Sequence, residues 1–126
     1  MAGEPICFEC VAVDGLVVRL TRARYYGHIL APEGHPELEW HFRYPASQIQ
    51  IALEQAVNVT AGNRPQTKLY LGPSVIPDGR AFDGKPGRPN ARQFRVAVQV
   101  ENDAESERGY VLTAYAPIVR VTGTAR

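Results

Sequence analysis

Three histidines, His28, His35 and His41, fall between residues 28 and 41, interleaved with Glu33, Glu37 and Glu39. Imidazole exchanges protons near neutral pH and also binds metals, so the segment admits two chemistries. A metal site wants further ligands at defined spacings, and neither H-E-x-x-H nor a comparable pattern is present. Cys7 and Cys10 are the only thiols and have no second pair to close a tetrahedral zinc site. They stand three apart in a β-rich run, which turns them to opposite faces of a strand and argues against a disulfide or a shared metal. No metal and no cofactor is therefore expected. What remains is proton transfer by His28 or His35, with His41 read as a packing residue near Trp40.

Arginine offers paired N–H donors that match a phosphate, and Arg24, Arg92 and Arg95 are the candidates. The last two close a run holding Arg80, Lys85, Arg88, Arg92 and Arg95 against the single acid Asp83. From Glu101 to Glu107 the sign reverses, with Glu101, Asp103, Glu105 and Glu107 together. Later, Thr113 and Tyr115 are two apart in a strand-like run, so one face presents both hydroxyls to one ligand. A base, an acid and donors that hold charge on phosphoryl oxygens are the parts needed to cleave RNA through its own 2′-hydroxyl without a metal. In that scheme His28 or His35 is one proton-transfer partner and the second histidine or Glu37 is the other. Arg24, Arg92 or Arg95 would clamp the phosphate, and Thr113 and Tyr115 would add hydrogen bonds or stack a base. Each residue also has a plain reading. His35-Pro36-Glu37 resembles a helix-start turn in which Glu37 supports free N–H groups, Thr113 is a β-former with a locally satisfied hydroxyl, and Tyr115 is a half-buried aromatic.

The elements that must position these groups belong to a chain of 126 residues with 14 Lys+Arg, 13 Asp+Glu and 44% hydrophobic residues. That is one domain, residues 1–126, with enough apolar material for a core without staples. The composition excludes disorder, collagen and a coiled coil. A formal charge of +1 excludes a general basic coat for duplex nucleic acid but leaves room for a local cationic cleft. No apolar run reaches the roughly 18 residues of a spanning helix, and MAGEPICFEC lacks the features of a secretory signal. A cytoplasmic protein with no membrane partner is expected.

Ile6 to Val13 and Leu16 to Leu20 are β-rich runs around Asp14-Gly15, a dipeptide favoured by two-residue primed turns, and predict a hairpin. Thr21 stands at an N-cap position before a short helix from Arg22 to Leu30. A second helix is predicted from Ser47 to Ala56, where Ile49, Ala52, Leu53 and Ala56 share one face behind a Ser47 cap. Strands follow at Thr67 to Leu71, Gln93 to Glu101, Gly109 to Tyr115 and Ile118 to Val121, with Asn102 to Arg108 as a solvated turn. Residues 72–92 hold four prolines and four glycines and predict a long loop. The fold class is α+β: an N-terminal hairpin and two helices packed on a mostly antiparallel sheet of three to five strands, with one sheet face open to solvent or a ligand.

Read together, Arg24-Tyr25-Tyr26-Gly27, His28-Ile29-Leu30, His35-Pro36-Glu37-Leu38 and the closing Val111-Leu112-Thr113-Ala114-Tyr115 form a recognisable series. The combination resembles phage-related and bacterial toxin-like proteins of the superfamily that unites barnase, EndoU, colicin-type and RelE-type ribonucleases. The resemblance runs from about Val17 to Tyr115. It implies helices packed on an antiparallel sheet whose exposed face holds RNA, and metal-independent cleavage. The matching positions are His28, His35, Glu37, Thr113 and Tyr115, with Arg24 ahead of them. The chain departs from the commoner pattern in the extra spacing around Pro32 to Gly34 and in the Pro/Gly segment before Arg92. RNA is the expected substrate, with an antitoxin or immunity protein and a homodimer as further partners. The competing readings are a catalytically inactive RNA- or protein-binding domain of the same fold and a dimeric interaction module.

Overall fold

The computed structural model describes residues 5–79, 84–85, 88–102 and 106–119. The hairpin forms from β1 (Ile6–Val11) and β2 (Val17–Thr21), paired antiparallel. Its turn differs from the two-residue form. The Ala12 N–H donates to the Leu16 carbonyl at 2.8 Å around Val13, Asp14 and Gly15, and Gly15 alone has a positive φ of 90°. Such a loop needs one left-handed residue rather than two, and Gly15 takes it without steric cost.

Thr21 caps the next element as expected, its Oγ1 accepting from the Arg24 N–H at 3.1 Å. The helix itself is irregular. Only Arg22–Arg24 (α1) is α-helical, and the chain then widens into a π turn over Tyr25–Ile29, closed by the Leu30 N–H on the Tyr25 carbonyl at 2.9 Å. Tyr25 and Ile29 are buried while Tyr26, Gly27 and His28 are exposed. A four-residue helix, α2 (Leu38–His41), follows, and then α3 (Pro45–Glu54). Compared with the expected Ser47 to Ala56, α3 begins and ends two residues earlier. Pro45 occupies its first turn, where a missing N–H costs nothing, and Tyr44 rather than Ser47 is the cap. Its buried face is the predicted one, Ile49, Ala52 and Leu53.

The remaining strands of the main sheet are β3 (Asn58–Ala61), β4 (Thr67–Val75), β7 (Arg92–Asn102) and β8 (Glu107–Tyr115). A separate two-strand ladder joins β5 (Gly84–Lys85) to β6 (Arg88–Pro89). The sheet order is β1-β2-β8-β7-β4-β3, antiparallel throughout except for the parallel β2–β8 pair. The fold is α+β, and its main sheet has six strands rather than three to five. The unpredicted strand, β3, is four residues long and largely exposed, with Asn58 and Thr60 breaking any apolar pattern. The predicted loop at 72–92 is shortened from both ends. β4 runs through Gly72 and Pro73 to Val75, with a register shift between Leu71 and Ser74 that accommodates the proline. Residues 80–83 and 86–87 lie outside the described residues, as do 103–105 in the acidic turn. The strand expected at Ile118 to Val121 reduces, among the described residues, to one bridge between Ile118 and Arg92.

One core holds the domain together. Val18, Leu20, Tyr70, Phe94, Val96, Val98 and Ala114 meet Ile29, Leu38, Phe42, Ile49 and Leu53 on the closed face of the sheet, each 1% exposed or less. Phe42 and Phe94 pack with ring centroids 4.8 Å apart. Cys10 lies in this core, where burial and the nearby Glu54 and Glu9 carboxylates push its thiol up to about 11. Cys7 is half-buried, and both thiols are free. The opposite face presents Arg19 and Thr21 of β2, Tyr110 to Tyr115 of β8 except buried Val111 and Ala114, and Arg95 and Ala97 of β7. No helix among the described residues is long and apolar enough to cross a membrane.

Candidate functional site

Position on the open face depends on a defect in β8. Ala97 pairs with Thr113 and Val98 with Val111, so Leu112 is an extra residue facing no partner. Regular alternation would have put Thr113 on the same side as buried Val111. The bulge reverses the phase, turning Leu112, Thr113 and Tyr115 outward while Val111 and Ala114 stay buried. Thr113 and Tyr115 do share one face, as the spacing predicts.

The histidine segment reaches this face through a tight return of the chain. Leu30 to Gly34 loops back so that the His35 N–H donates to the Ile29 carbonyl at 2.6 Å and the Gly34 N–H to the Ala31 carbonyl at 2.8 Å. A Cβ on Gly34 would overlap the His28 carbonyl oxygen, so only glycine permits this approach. The extra spacing between the two histidines is thereby folded away, and their backbones run side by side.

His35 lands on Tyr115, with ring centroids 5.5 Å apart and planes inclined by 32°. Its Nδ1 is 3.1 Å from Glu37 Oε2. An ionised carboxylate only accepts, so Nδ1 is the donor in this pair, and in the neutral tautomer that fits it the lone pair lies on Nε2. Glu37 does stand at the N-cap of α2, but its side chain makes no capping bond there. The helix-start reading of Glu37 therefore fails in its chemistry, because the carboxylate is committed to His35.

Two hollows adjoin on the open face. The first, of about 360 Å³, is lined by Arg19, Thr21, Arg24, His28, Tyr110 and Leu112, among others. The second, of about 400 Å³, is lined by Arg24, Asn63, Arg64, Thr67, Thr113 and Tyr115, together with Leu69, Ala97 and Leu112. Arg24 and Leu112 are common to both and form the ridge between them. No lining residue of either hollow is an acid. Arg19 is ion-paired with Glu9 at 2.6 Å, whereas Arg24 and Arg64 leave the walls cationic.

Of the residues singled out in the sequence, Arg24, His28, Thr113 and Tyr115 line these hollows, and His35 with Glu37 sits at the rim against Tyr115. Arg92 and Arg95 line neither. The Arg92 guanidinium donates to the Ala116 carbonyl at 2.6 Å and fastens the end of β8. Arg95 stands directly across from Tyr115 on the neighbouring strand, with a buried Nε that lacks a hydrogen-bond partner. Sequence reasoning missed Tyr110, Leu112, Asn63 and Arg64. Arg19 and Thr21 were visible in the alternation of β2, but nothing local marks the bulge. Among the described residues no group of three or more His, Cys, Asp or Glu side chains stands together as a metal site.

No protein-family model, no curated protein and no solved structure matches this chain.

Proposed function

We propose that this protein is a metal-independent endoribonuclease of the toxin type, cleaving RNA by 2′-hydroxyl transesterification on the open face of its sheet. The observation that carries the reading is the contact of His35 with both Glu37 and Tyr115, where Tyr115 lines one of two acid-free hollows that share Arg24. The resemblance of the His28-to-Leu38 and Val111-to-Tyr115 segments to toxin-like ribonucleases points the same way.

His35 is the general base. Its Nε2 takes the proton from the 2′-hydroxyl, and Glu37 holds the ring in the productive tautomer and stabilises the imidazolium that results. The 2′-oxygen attacks phosphorus, and the bond to the 5′-oxygen breaks as His28, lining the hollow on the other side of Arg24, gives that oxygen a proton. The products are a 2′,3′-cyclic phosphate and a 5′-hydroxyl. Arg24 meets the charge that develops on the phosphoryl oxygens, and the Tyr115 and Thr113 hydroxyls donate to the same group. These donors are built on strand and helix backbone, which places them before the substrate arrives.

The test is incubation of the purified chain with total RNA in excess chelator, followed by analysis of the new ends. Fragments with 2′,3′-cyclic phosphate, lost in His28→Ala and His35→Ala, are the expected result. Cleavage that persists undiminished in both variants, or ends of another kind, would overturn the assignment.

A further inference from the structure

We infer that the open face holds an unpaired dinucleotide step of RNA, one nucleotide on each side of the Arg24–Leu112 ridge, with Tyr110 stacking one base and Asn63 reading the edge of the other. The cleavage of that step rests on the ribonuclease reading above; its binding does not.

Each hollow, at about 360 and 400 Å³, is near the lower end of the range for small-ligand sites. Neither is a deep cavity for a long ligand, and together they form two adjoining seats. The wall they share contains Arg24, the group best suited to the phosphate that joins two nucleosides. Leu112 completes that wall, lying on this face as the outward neighbour of buried Val111, and the β-bulge brings Thr113 and Tyr115 out beside it. A sheet surface interrupted by one apolar residue and one guanidinium separates two bases while clamping the linkage between them.

The two seats differ in chemistry. The first offers Tyr110, an aromatic ring on the sheet surface, beside Leu112, Ala23 and Gly27. Bases stack on such a ring with little regard to sequence, at about 1–3 kcal/mol per base. The second offers the Asn63 amide with the Thr113 hydroxyl over a floor of Leu69 and Ala97. An amide presents a donor and an acceptor together, which is what reading a base edge requires. Asn63 is held in register by its own connection. Thr67 Oγ1 accepts from the Arg64 N–H at 3.2 Å and donates to the Arg64 carbonyl, and the Gly62 N–H donates to the Thr67 carbonyl at 2.9 Å. Separating two neighbouring bases into different seats requires that they be unstacked and unpaired, so loops and tails fit and duplex RNA does not.

The test uses fluorescently labelled 2′-fluoro RNA tetranucleotides, which lack the attacking hydroxyl, with affinity read by anisotropy on the full chain. The parent protein should bind the single strands at least tenfold more tightly than the same sequences in a duplex. Tyr110→Ala should weaken binding about tenfold across sequences, with Tyr110→Phe restoring it. Asn63→Ala should flatten the preference among bases at one position. Thermal midpoints equal to the parent's exclude misfolding as the cause. Binding with these dependences but without cleavage of the 2′-hydroxyl counterparts would leave the two seats standing and remove the ribonuclease reading. Cleavage with neither variant altering affinity or base preference would remove the seats and leave the ribonuclease. Equal affinity for duplex, or no binding at all, also overturns the assignment.

Discussion

An acid, a base and a tyrosine stand together twice in this molecule. Behind the hairpin turn, Asp14 accepts from Lys68 Nζ at 2.9 Å and from the Tyr70 hydroxyl at 3.0 Å, with the Leu16 N–H at 3.4 Å. On the open face, Glu37 accepts from His35, which lies against Tyr115. The first set ties the hairpin to β4, its tyrosine fully buried. Burial alone would raise the Asp14 carboxyl, but the bonds from Lys68, Tyr70 and Leu16 outweigh it and hold the group below its usual value. Burial, reinforced by the neighbouring Asp14 charge, pushes the Tyr70 hydroxyl well up. In the second set the His35 and Glu37 side chains are each over a third exposed, at 37% and 36%, and His35 lies against Tyr115, which lines a hollow without acids. Similar residue types thus serve two ends. Groups that spend their hydrogen bonds on one another lock the fold, whereas groups that keep a lone pair and a cationic neighbour exposed remain available to a ligand.

Breaking either set should therefore move a different observable. The largest effect belongs to His35→Ala, which should lower RNA cleavage by about 10²–10⁴-fold while leaving the thermal midpoint close to the parent's. Asp14→Ala should do the reverse. It leaves the Tyr70 hydroxyl buried without its acceptor, at a cost of about 1–3 kcal/mol, and cleavage measured well below the midpoint should stay at the parent's rate. The same set carries an acid dependence. With the folded carboxyl held below its unfolded value of about 3.9, the unfolded chain takes up the proton first as pH falls. The Asp14 contribution is complete above about pH 4 and is lost as pH drops through the folded value. Asp14→Asn should remove that part of the slope in a denaturant titration series, and an unchanged slope would show that Asp14 is not its source.

Gly34→Ala sharpens the comparison because it strikes the join between the histidines. The methyl group overlaps backbone rather than a movable side chain, so a stability loss of about 1–3 kcal/mol is expected, together with reduced cleavage as His35 is displaced from Tyr115. Retained activity at parent stability would mean that the return loop does not position the base. The smallest effect is Tyr115→Phe, which keeps the ring against His35 and removes one donor; cleavage should fall by roughly tenfold, the scale of a single neutral hydrogen bond.

The parts of the fold legible in the sequence were those governed by simple periods. β7 alternates Phe94, Val96, Val98 and Val100 inward, α3 repeats Ile49, Ala52 and Leu53 on one face, and the hairpin is marked by Asp14-Gly15. The π turn at Tyr25–Ile29 and the strand β3 follow tertiary packing and edge pairing, which no local period records. The candidate site divides along the same line. His28, His35, Glu37, Thr113 and Tyr115 were visible from residue type and motif. Tyr110, Leu112 and Asn63 were not: Tyr110 and Leu112 lie outward beside buried Val111 without any motif to mark them, and Asn63 is placed by the return of the chain at Gly62. Arg92 was picked out from a run of cations along the chain, whereas what its guanidinium holds in space includes the Ala116 carbonyl, a contact that linear spacing does not record.

The most direct test of the division between the two faces is the initial rate of RNA cleavage in excess chelator for three proteins at matched folded fraction: the parent, His35→Ala and Asp14→Ala. The rate should collapse in His35→Ala alone, with cyclic-phosphate ends in the other two. A rate that survives in His35→Ala, or falls equally in both variants, would contradict the assignment of catalysis to the open face.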